Sequence, residues 1–197
     1  LAIWSVVARE YKTDYLHWLT REHATERLSV DGFLGVRVYR ALQRDIHRYF
    51  IHYELTSSNV LSSAAYLQRL NAPTPWSQRI MPILGNFVRG GGKVVAEAGE
   101  GHGRVLAAIK LDARPEGLDK IKLEGIVAAD RIIAARLLQT DLIQTTIATR
   151  EKSMRIGDAS FPSLLLIEGL DEPSVLAAIG GLKLEPASDI YLQIFQM

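Results

Sequence analysis

The spacing of apolar and polar positions divides the chain into short strands and helices. Leu1–Ala8 is apolar and rich in branched side chains, which is typical of a buried strand. Tyr11–Leu28 repeats large apolar residues every three or four positions, which predicts a helix. Gln43–His47 is short enough for a hairpin, whereas Thr140–Ser160 alternates poorly and leaves an extra helix or a long loop open. The other predicted strands are Phe33–Leu42, Arg48–Leu55, Val94–Ala96, Arg104–Leu111, Ile132–Leu138, Ser163–Ile167 and Ile190–Gln196, and the other predicted helices are Val60–Leu70, Ile80–Leu84, Pro115–Ala129 and Pro173–Ile179.

These elements follow the order strand, helix, strand, strand, helix, strand, and the order occurs twice. That order defines the ferredoxin-like unit. The Gly-rich stretch Gly99–Gly103 separates a first half, residues 1–99, from a second half, residues 104–197. A single arginine in the middle of a corresponding strand of each half, Arg37 and Arg136, supports an internal duplication.

Two such halves can close against each other. A ferredoxin-like sheet carries helices on one face only, so its other face must be covered or solvated. We therefore expect an α+β fold in which two tandem halves form an intrachain, pseudo-dimeric α+β barrel with a cavity between the sheets. Alternation along the strands predicts that six polar-tipped side chains line this cavity. They are Arg37, Tyr39, His52 and Glu54 in the first half and Arg136 and Glu168 in the second.

The predicted charged cluster has two interpretations. Buried charges persist only when they are paired and hydrogen-bonded, so Arg–Glu pairs could fill the barrel and hold the halves together. Alternatively, the cluster lines a ligand cavity in which Arg37 binds a carboxylate, because a guanidinium group can bind both carboxylate oxygens. Both interpretations assume the strand register, since a shift of one residue would reverse the faces.

A second candidate for chemistry lies at the end of the first helix. Glu22 continues the apolar stripe of that helix and stands beside His23, which makes the two a candidate acid–base pair. The alternative is an ordinary charged helix end stabilised by ion pairs between successive turns. The corresponding positions of the second half are Ile121 and Lys122, so the cluster occurs once, as expected for one active site per chain.

The composition excludes several classes of function. The 197-residue chain is 48% hydrophobic and 23% charged, as in ordinary globular proteins. A net charge of +1 without a cluster of Lys and Arg gives no basis for binding nucleic acid. The absence of cysteine excludes disulfides and a Cys nucleophile and fits a cytoplasmic location. No apolar run approaches the roughly 20 residues that span a bilayer, and the histidines lack metal-site spacing, so we expect neither a membrane span nor a metal.

The first forty residues also resemble a known family. The run Trp18, Glu22, His23, Glu26 and Arg27, followed by Gly32, Phe33, Arg37 and Tyr39, is similar to EthD-like members of the dimeric α+β barrel superfamily. The resemblance implies a barrel cavity lined by the histidine at the helix end, here His23, which is catalytic in some members. It also implies a small aromatic or lactone-like substrate that is oxidised, isomerised or dehydrated.

The leading hypothesis is a barrel that binds a small aromatic or carboxylated molecule and acts on it without a metal. His23, supported by Glu22, would exchange the proton, and Arg37 would bind an anionic group. The remaining predicted pocket residues are Tyr39, His52, Glu54, Arg136 and Trp76, the last as a lid.

Two other hypotheses stay open. A non-catalytic binding or assembly protein would have a barrel filled by its own side chains, with an Arg–Glu pair in each half. A haem-binding barrel would use a histidine such as His52 or His102 as its ligand. No other cofactor is expected. A homodimer also stays open, although fused halves can close the barrel without one.

Overall fold

Each half of the chain folds into a four-stranded antiparallel sheet with helices on one face. The computed structural model describes residues 1–43, 47–113, 117–182 and 189–197. The strands are β1 (Ala2–Val6), β2 (Phe33–Ala41), β3 (Arg48–Leu55), β4 (Gly85–Gly90), β5 (Gly92–Ala98), β6 (Val105–Leu111), β7 (Ile132–Thr140), β8 (Asp158–Ala159), β9 (Ser163–Gly169) and β10 (Ile190–Gln196). The helices are α1 (Lys12–Trp18), α2 (Ala24–Leu28), α3 (Ala64–Asn71), α4 (Pro75–Ile80), α5 (Lys120–Val127), α6 (Leu142–Thr145), α7 (Arg150–Ser153) and α8 (Glu172–Gly180), with 3₁₀ turns at Arg9–Tyr11, Ser58–Ser62 and Met81–Ile83 and a π-helical turn at Leu19–His23.

Both halves have the strand order of a ferredoxin-like unit. The first half is ordered β2-β3-β1-β4 and the second β7-β9-β6-β10. Neighbouring strands within each half are antiparallel. In each half a helical segment joins the first strand to the second and another joins the third to the fourth. The predicted order of elements is therefore confirmed in both halves, although the fourth strand of the first half is β4 and not the predicted Val94–Ala96, which lies in β5.

Two seams join the halves into a barrel. At one seam β10 pairs with β2 in antiparallel fashion. At the other, β4 pairs with β1 and β5 pairs with β7, and only Gly91 separates β4 from β5. Because these consecutive strands lie in opposite parts of one ten-stranded sheet, the sheet must curl until its ends meet. The chain forms a pseudo-dimeric α+β barrel, and β5, which the sequence assigned to the first half, pairs with the second.

A hydrophobic core fills the space between the two sheets. Trp4 contacts Phe50 and Phe161 at ring-centroid distances of 4.6 and 5.3 Å. Tyr39 and Tyr191 lie 5.8 and 5.7 Å from the ring of Phe50, and all five side chains are buried. The expected open cavity between the sheets is therefore wrong, because large aromatic side chains from both halves occupy that space.

Strand alternation assigns the two faces as predicted, with one exception at the start of β2. Tyr53 packs with the helix-side core and Phe50 with the barrel core. A bulge between Phe33 and Gly35 shifts the register of β2. As a result Phe33 joins the helix-side core, whereas Leu34 is 64% exposed. The extra residue of the bulge therefore reverses the alternation at this end of the strand.

The stretch of poor alternation folds into a segment that crosses from the second half to the first. Residues 141–160, the capping segment, contain α6, α7 and β8. β8 pairs in parallel with β4, where Asp158 lies opposite Phe87. The backbone N–H of Arg150 donates to Asn71 Oδ1 on α3 at 3.0 Å. The second half thereby covers part of the helix-side face of the first half.

Some predicted boundaries differ from the observed ones. The helix predicted from Pro115 begins at Lys120, where the Asp119 side chain accepts the N–H of Lys122 and caps the helix. Pro115 itself lies outside the described residues, as do positions 44–46 of the predicted hairpin. The strand β4 was not predicted, because its two glycines and polar residues obscure the alternation.

Candidate functional site

The helix that leads to His23 changes its phase at the π-helical turn. The backbone N–H of Ala24 donates to the carbonyl of Leu19, five residues back rather than four. Counted from the buried Trp18, a regular α-helix would bring Glu22 over the sheet. The extra residue of the π turn brings His23 there instead, and His23 is 5% exposed. The prediction that Glu22 continues the buried stripe is wrong for this reason.

His23 lines a cavity between the helices and the sheet of the first half. The floor is the helix-side face of β1, β3 and β4, and the walls come from the helices and the capping segment. The enclosed volume is about 40 Å³. Since one water needs roughly 10–15 Å³ by the same measure, the closed cavity has room for only a few waters.

The imidazole of His23 is held against an aromatic ring and kept neutral. Its ring packs against Trp18 with centroids 4.2 Å apart and the ring planes tilted by 33°, and Trp18 Nε1 donates to Ser77 Oγ at 3.0 Å. Burial lowers the pKa of His23 well below its usual value, and the nearby Arg27 and Arg155 lower it further. A neutral imidazole carries one nitrogen lone pair that can accept a proton.

The cavity is lined by more positive than negative charge. Arg27, Arg89, Lys152 and Arg155 contribute four cationic groups, and Glu151 contributes a carboxylate. Glu151 Oε1 accepts from Arg27 Nη2 at 2.5 Å, and both side chains are buried. Burial and the neighbouring Arg89 lower the pKa of Lys152 to about 8. This balance favours an anionic or electron-rich ligand.

Three buried polar atoms in the cavity lining have no hydrogen-bond partner within the described residues. They are His23 Nδ1, Arg27 Nη1 and Tyr53 Oη. Buried polar atoms are nearly always hydrogen-bonded to protein or water. Because the three residues border one cavity, a polar molecule held there would have these groups within its surroundings.

The equivalent space in the second half is occupied by aliphatic side chains. Its buried core consists of Ala, Val, Leu and Ile residues from β6, β7, β9, α5, α8 and neighbouring elements. Ile121 and Lys122, at the positions corresponding to Glu22 and His23, lie on α5 and are exposed. Among the residues that the structure describes, the polar helix-side cavity is a feature of the first half.

The charged cluster predicted on the strands lies at one mouth of the barrel. Arg37 Nη2 donates to Glu54 Oε1 at 2.6 Å and lies 3.3 Å from His52 Nδ1. In the second half Arg136 Nη1 donates to Glu168 Oε1 at 2.7 Å. Strand alternation thus brings these side chains to one place, as the sequence predicted.

His102 connects the two ion pairs across the mouth. Its Nε2 lies 3.5 Å from Glu54 Oε1, and its Nδ1 lies 3.3 Å from Glu168 Oε2. The backbone N–H of Gly103 donates to the same Glu168 oxygen at 3.1 Å. The linker between the halves therefore takes part in the cluster, which we call the mouth network.

The predicted site residues fall into separate places. Tyr39 lies in the barrel core and not in a ligand cavity. His23 lies on the opposite face of the sheet from Arg37 and His52, because it packs over the helix-side face. Glu22 Oε1 accepts from Thr74 Oγ1 at 2.6 Å, and Trp76 Nε1 donates to Asp14 Oδ1 at 3.0 Å, both outside the cavity lining. The expected single pocket with His23, Arg37 and His52 is therefore wrong.

Sequence reasoning missed most residues of the observed cavity. Arg27 was part of the recognised motif but received no role, and Tyr53 lay within the predicted strand Arg48–Leu55 without a role. Arg89 lies on β4, which was not predicted. The capping-segment residues, including Glu151, carried no periodic signal that could bring them to the first half.

Acidification below about pH 6.5 is expected to destabilise the protein through its buried histidines. Burial lowers the pKa values of both His23 and His52 in the folded state, so the unfolded chain binds more protons in this range. The free energy of unfolding should fall by at most about 1.4 kcal/mol per pH unit for each histidine as pH decreases below about 6.5, and these groups should contribute almost no change above about pH 7.5.

Urea unfolding between about pH 5 and pH 7.5 measures this dependence. The His23→Gln variant should have a shallower slope than the wild type, and His17→Gln, a change on the same helix but outside the cavity lining, should not. Equal slopes in all three proteins would show that His23 does not stay neutral in the folded state.

Within the described ranges, no three His, Asp or Glu side chains are arranged to hold a metal ion. Over the same residues, no helix has both the length and the apolar surface required to cross a membrane.

Comparisons with known proteins support the fold. No protein-family model matches the chain, and no curated protein matches it. Among solved structures, an anthrone oxidase-like protein aligns with a TM-score of 0.55 and 13% identity, covering 100% of this chain and 92% of that protein. A protein provisionally named a monooxygenase, from Fusobacterium nucleatum subsp. nucleatum, aligns with a TM-score of 0.47 and 14% identity, covering 98% and 91%. At such identities the likeness to the first structure extends to the α+β barrel fold alone.

Proposed function

We propose that the helix-side cavity of the first half binds a small aromatic or carboxylated molecule and that His23 exchanges a proton with it. One observation carries this proposal: three residues that border one cavity, His23, Arg27 and Tyr53, each have a buried polar atom without a hydrogen-bond partner among the described residues, and that cavity occurs in one half. The location differs from the space between the sheets, where the hypothesis from sequence had put the ligand.

The cavity lining suits an aromatic ring that carries an acidic group. Tyr15, Trp18, Tyr53 and Tyr66 supply aromatic surface, which packs well against a planar ring. Arg27 supplies a donor for a carboxylate or phenolate oxygen. When the proton of the neutral imidazole is on Nε2, Nδ1 is the base that removes a proton from an acidic C–H or O–H group of the ligand.

The most suitable reaction class is oxidation of an aromatic compound by molecular oxygen. His23 removes a proton in the first step, and oxygen takes up the electrons of the resulting carbanion or phenolate. The anthrone oxidase-like neighbour supports this class by its name, since an anthrone is an aromatic ketone with acidic C–H bonds. The resemblance of residues 18–39 to EthD-like proteins supports it as well. As part of this proposal, we assign the chain to the EthD-like proteins. It would be a tandem form in which one of the two halves is active.

A second candidate function is a non-catalytic binding or assembly role. Two observations favour it, because this hypothesis requires a filled barrel and an Arg–Glu pair in each half. The barrel is filled by side chains, and the pairs are Arg37–Glu54 and Arg136–Glu168. It differs from the first candidate in requiring no acid–base role for His23. The haem alternative has no such support: His102 has a carboxylate near each ring nitrogen, and His52 lies against Arg37.

The proposal is tested by a screen of phenols, aromatic ketones and aromatic carboxylates for binding and for oxygen consumption. For any compound that is turned over, His23→Gln should lower kcat by roughly 10²–10⁴-fold, the usual contribution of a general base. His17→Gln should leave kcat unchanged. Full activity of a folded His23→Gln protein would refute the acid–base role and favour the non-catalytic alternative.

A further inference from the structure

Glu151 closes the cavity from the second half of the chain. It projects from α7 in the capping segment, and its side chain is 4% exposed where it meets Arg27. Thr149, Lys152 and Arg155 of the same segment also line the cavity. The volume of about 40 Å³ that remains is far below the roughly 300 Å³ at which small-molecule pockets begin. An aromatic ligand can therefore enter only if the capping segment moves.

We propose that Glu151 occupies the position of a ligand carboxylate, so that an aromatic carboxylate binds Arg27 by displacing Glu151 and opening the capping segment. This inference rests on the proposed function, because it specifies the ligand class and the access to the same cavity. The segment is then an internal competitor that excludes molecules without an anionic group.

The contact with Glu151 uses only part of the hydrogen-bonding capacity of the Arg27 guanidinium group. Glu151 engages Nη2 through one oxygen, while Nη1 of the same buried guanidinium has no hydrogen-bond partner among the described residues. The carboxylate of Glu26 lies 3.4 Å from Nη1 without forming a hydrogen bond. A free carboxylate can accept one hydrogen bond from each of the two Nη nitrogens, and this bidentate geometry is stronger than a single hydrogen bond. This difference allows a ligand to compete with an internal group.

The charge of the cavity also favours exchange of one carboxylate for another. Glu151 is the carboxylate in a lining that carries four cationic groups. Moving it out without replacement would leave the buried Arg27 with only the longer, 3.4 Å ion pair to Glu26, which is unfavourable. A neutral ligand cannot supply the missing charge, whereas an aromatic carboxylate does. Opening of the capping segment is therefore favourable for an anionic ligand and unfavourable for a neutral one.

The capping segment is attached in a way that permits displacement. Its pairing with the sheet consists of the two residues of β8 at the edge of β4. Ile143 and Ile156 are largely exposed and Leu142 is half-exposed, so none of the three is packed into the core. Segments with few buried apolar contacts open at lower free energy than the core of a protein.

Benzoate and benzamide test this proposal, because they have nearly the same shape and differ in charge. In calorimetric titrations, Glu151→Gln should bind benzoate at least about tenfold more tightly than the wild type, since the competing carboxylate is gone. Benzamide affinity should change less than about twofold. Glu124→Gln, which removes an exposed carboxylate on α5, should leave both affinities unchanged. Adding Arg27→Gln to Glu151→Gln should abolish the gain for benzoate.

A second measurement uses the wild-type protein and does not depend on the folding of a variant. Saturating benzoate should increase hydrogen exchange of the backbone amides in residues 149–155. Suppose that benzoate perturbs the NMR signals of the His23 ring, but that hydrogen exchange in residues 149–155 does not increase and Glu151→Gln binds benzoate no more tightly than the wild type. This result would overturn the displacement of Glu151 and leave the proposed function standing. If neither compound perturbs His23 in either protein, the proposed function fails together with it.

Discussion

Replacement of Arg136 by methionine is expected to lower the free energy of unfolding by about 3 kcal/mol, the low end of the range for breaking a buried ion pair. The Glu168 side chain is 2% exposed and would lose its 2.7 Å hydrogen bond to Arg136. The loss stays at the low end because the N–H of Gly103 still donates to Glu168. The unpaired carboxylate cannot reach solvent without disturbing the mouth network.

Arg37→Met is the matched control within the same network. Its partner Glu54 has a side chain that is 44% exposed, so water can hydrate the carboxylate when the arginine is removed. The expected loss is about 1 kcal/mol, as for partly exposed pairs. Urea unfolding of both variants at neutral pH gives the comparison. Equal losses would contradict the conclusion that Glu168 is buried and Glu54 is solvated, and with it the position of the network at the mouth.

Trp18→Ala is expected to cost about 3–5 kcal/mol, as for other buried aromatic residues replaced by alanine. Trp18 is 2% exposed, hydrogen-bonded to Ser77 and packed against the ring of His23. Its removal enlarges the cavity on the helix side of the sheet and takes away the ring that holds the imidazole. Both the stability of the first half and the position of His23 therefore depend on this one side chain.

Trp76→Ala is the control for this change. Trp76 lies on α4, is only partly buried and donates to Asp14 outside the cavity, so the expected loss is about 1 kcal/mol. Added indole should raise the melting temperature of Trp18→Ala and not that of Trp76→Ala, because a ligand that fills a cavity of the folded state stabilises it. Equal effects in the two variants would mean that Trp18 does not border a cavity.

The fold could be predicted because local patterns determine it. Alternation in strands such as Arg48–Leu55 fixes which side chains face the barrel, and it placed Arg37, His52 and Glu54 together correctly. Alternation does not reveal whether the interior is open or filled. That depends on whether the volumes of side chains such as Trp4 and Phe50 fill the space that the curled sheet encloses.

The candidate site was harder to predict, for two physical reasons. The π turn adds one residue to a helical turn without changing the apolar pattern, so the sequence indicated Glu22 where the structure has His23 over the sheet. The capping segment reaches the cavity through tertiary contacts of Glu151 and Arg155, and no local periodicity encodes such contacts. The resemblance to EthD-like sequences did single out His23, but it placed the residue in the barrel cavity.

The arrangement gives the two halves different roles. The first half supplies the aromatic floor, His23 and Arg27, whereas the second half has an aliphatic core in the corresponding space. The second half instead contributes the capping segment and with it Glu151. Under the proposed function the chain has one site, and both halves contribute residues to its lining.

The measurement that tests this account most directly is a crystal structure with 4-iodobenzoate, in which anomalous scattering locates the iodine without assumptions. The account predicts iodine on the helix side of the first-half sheet, with the carboxylate at Arg27, the ring near His23 and Trp18, and Glu151 displaced. Iodine at the barrel mouth beside Arg37 and His52, with the helix-side cavity unchanged, would contradict it and return the search to the mouth network.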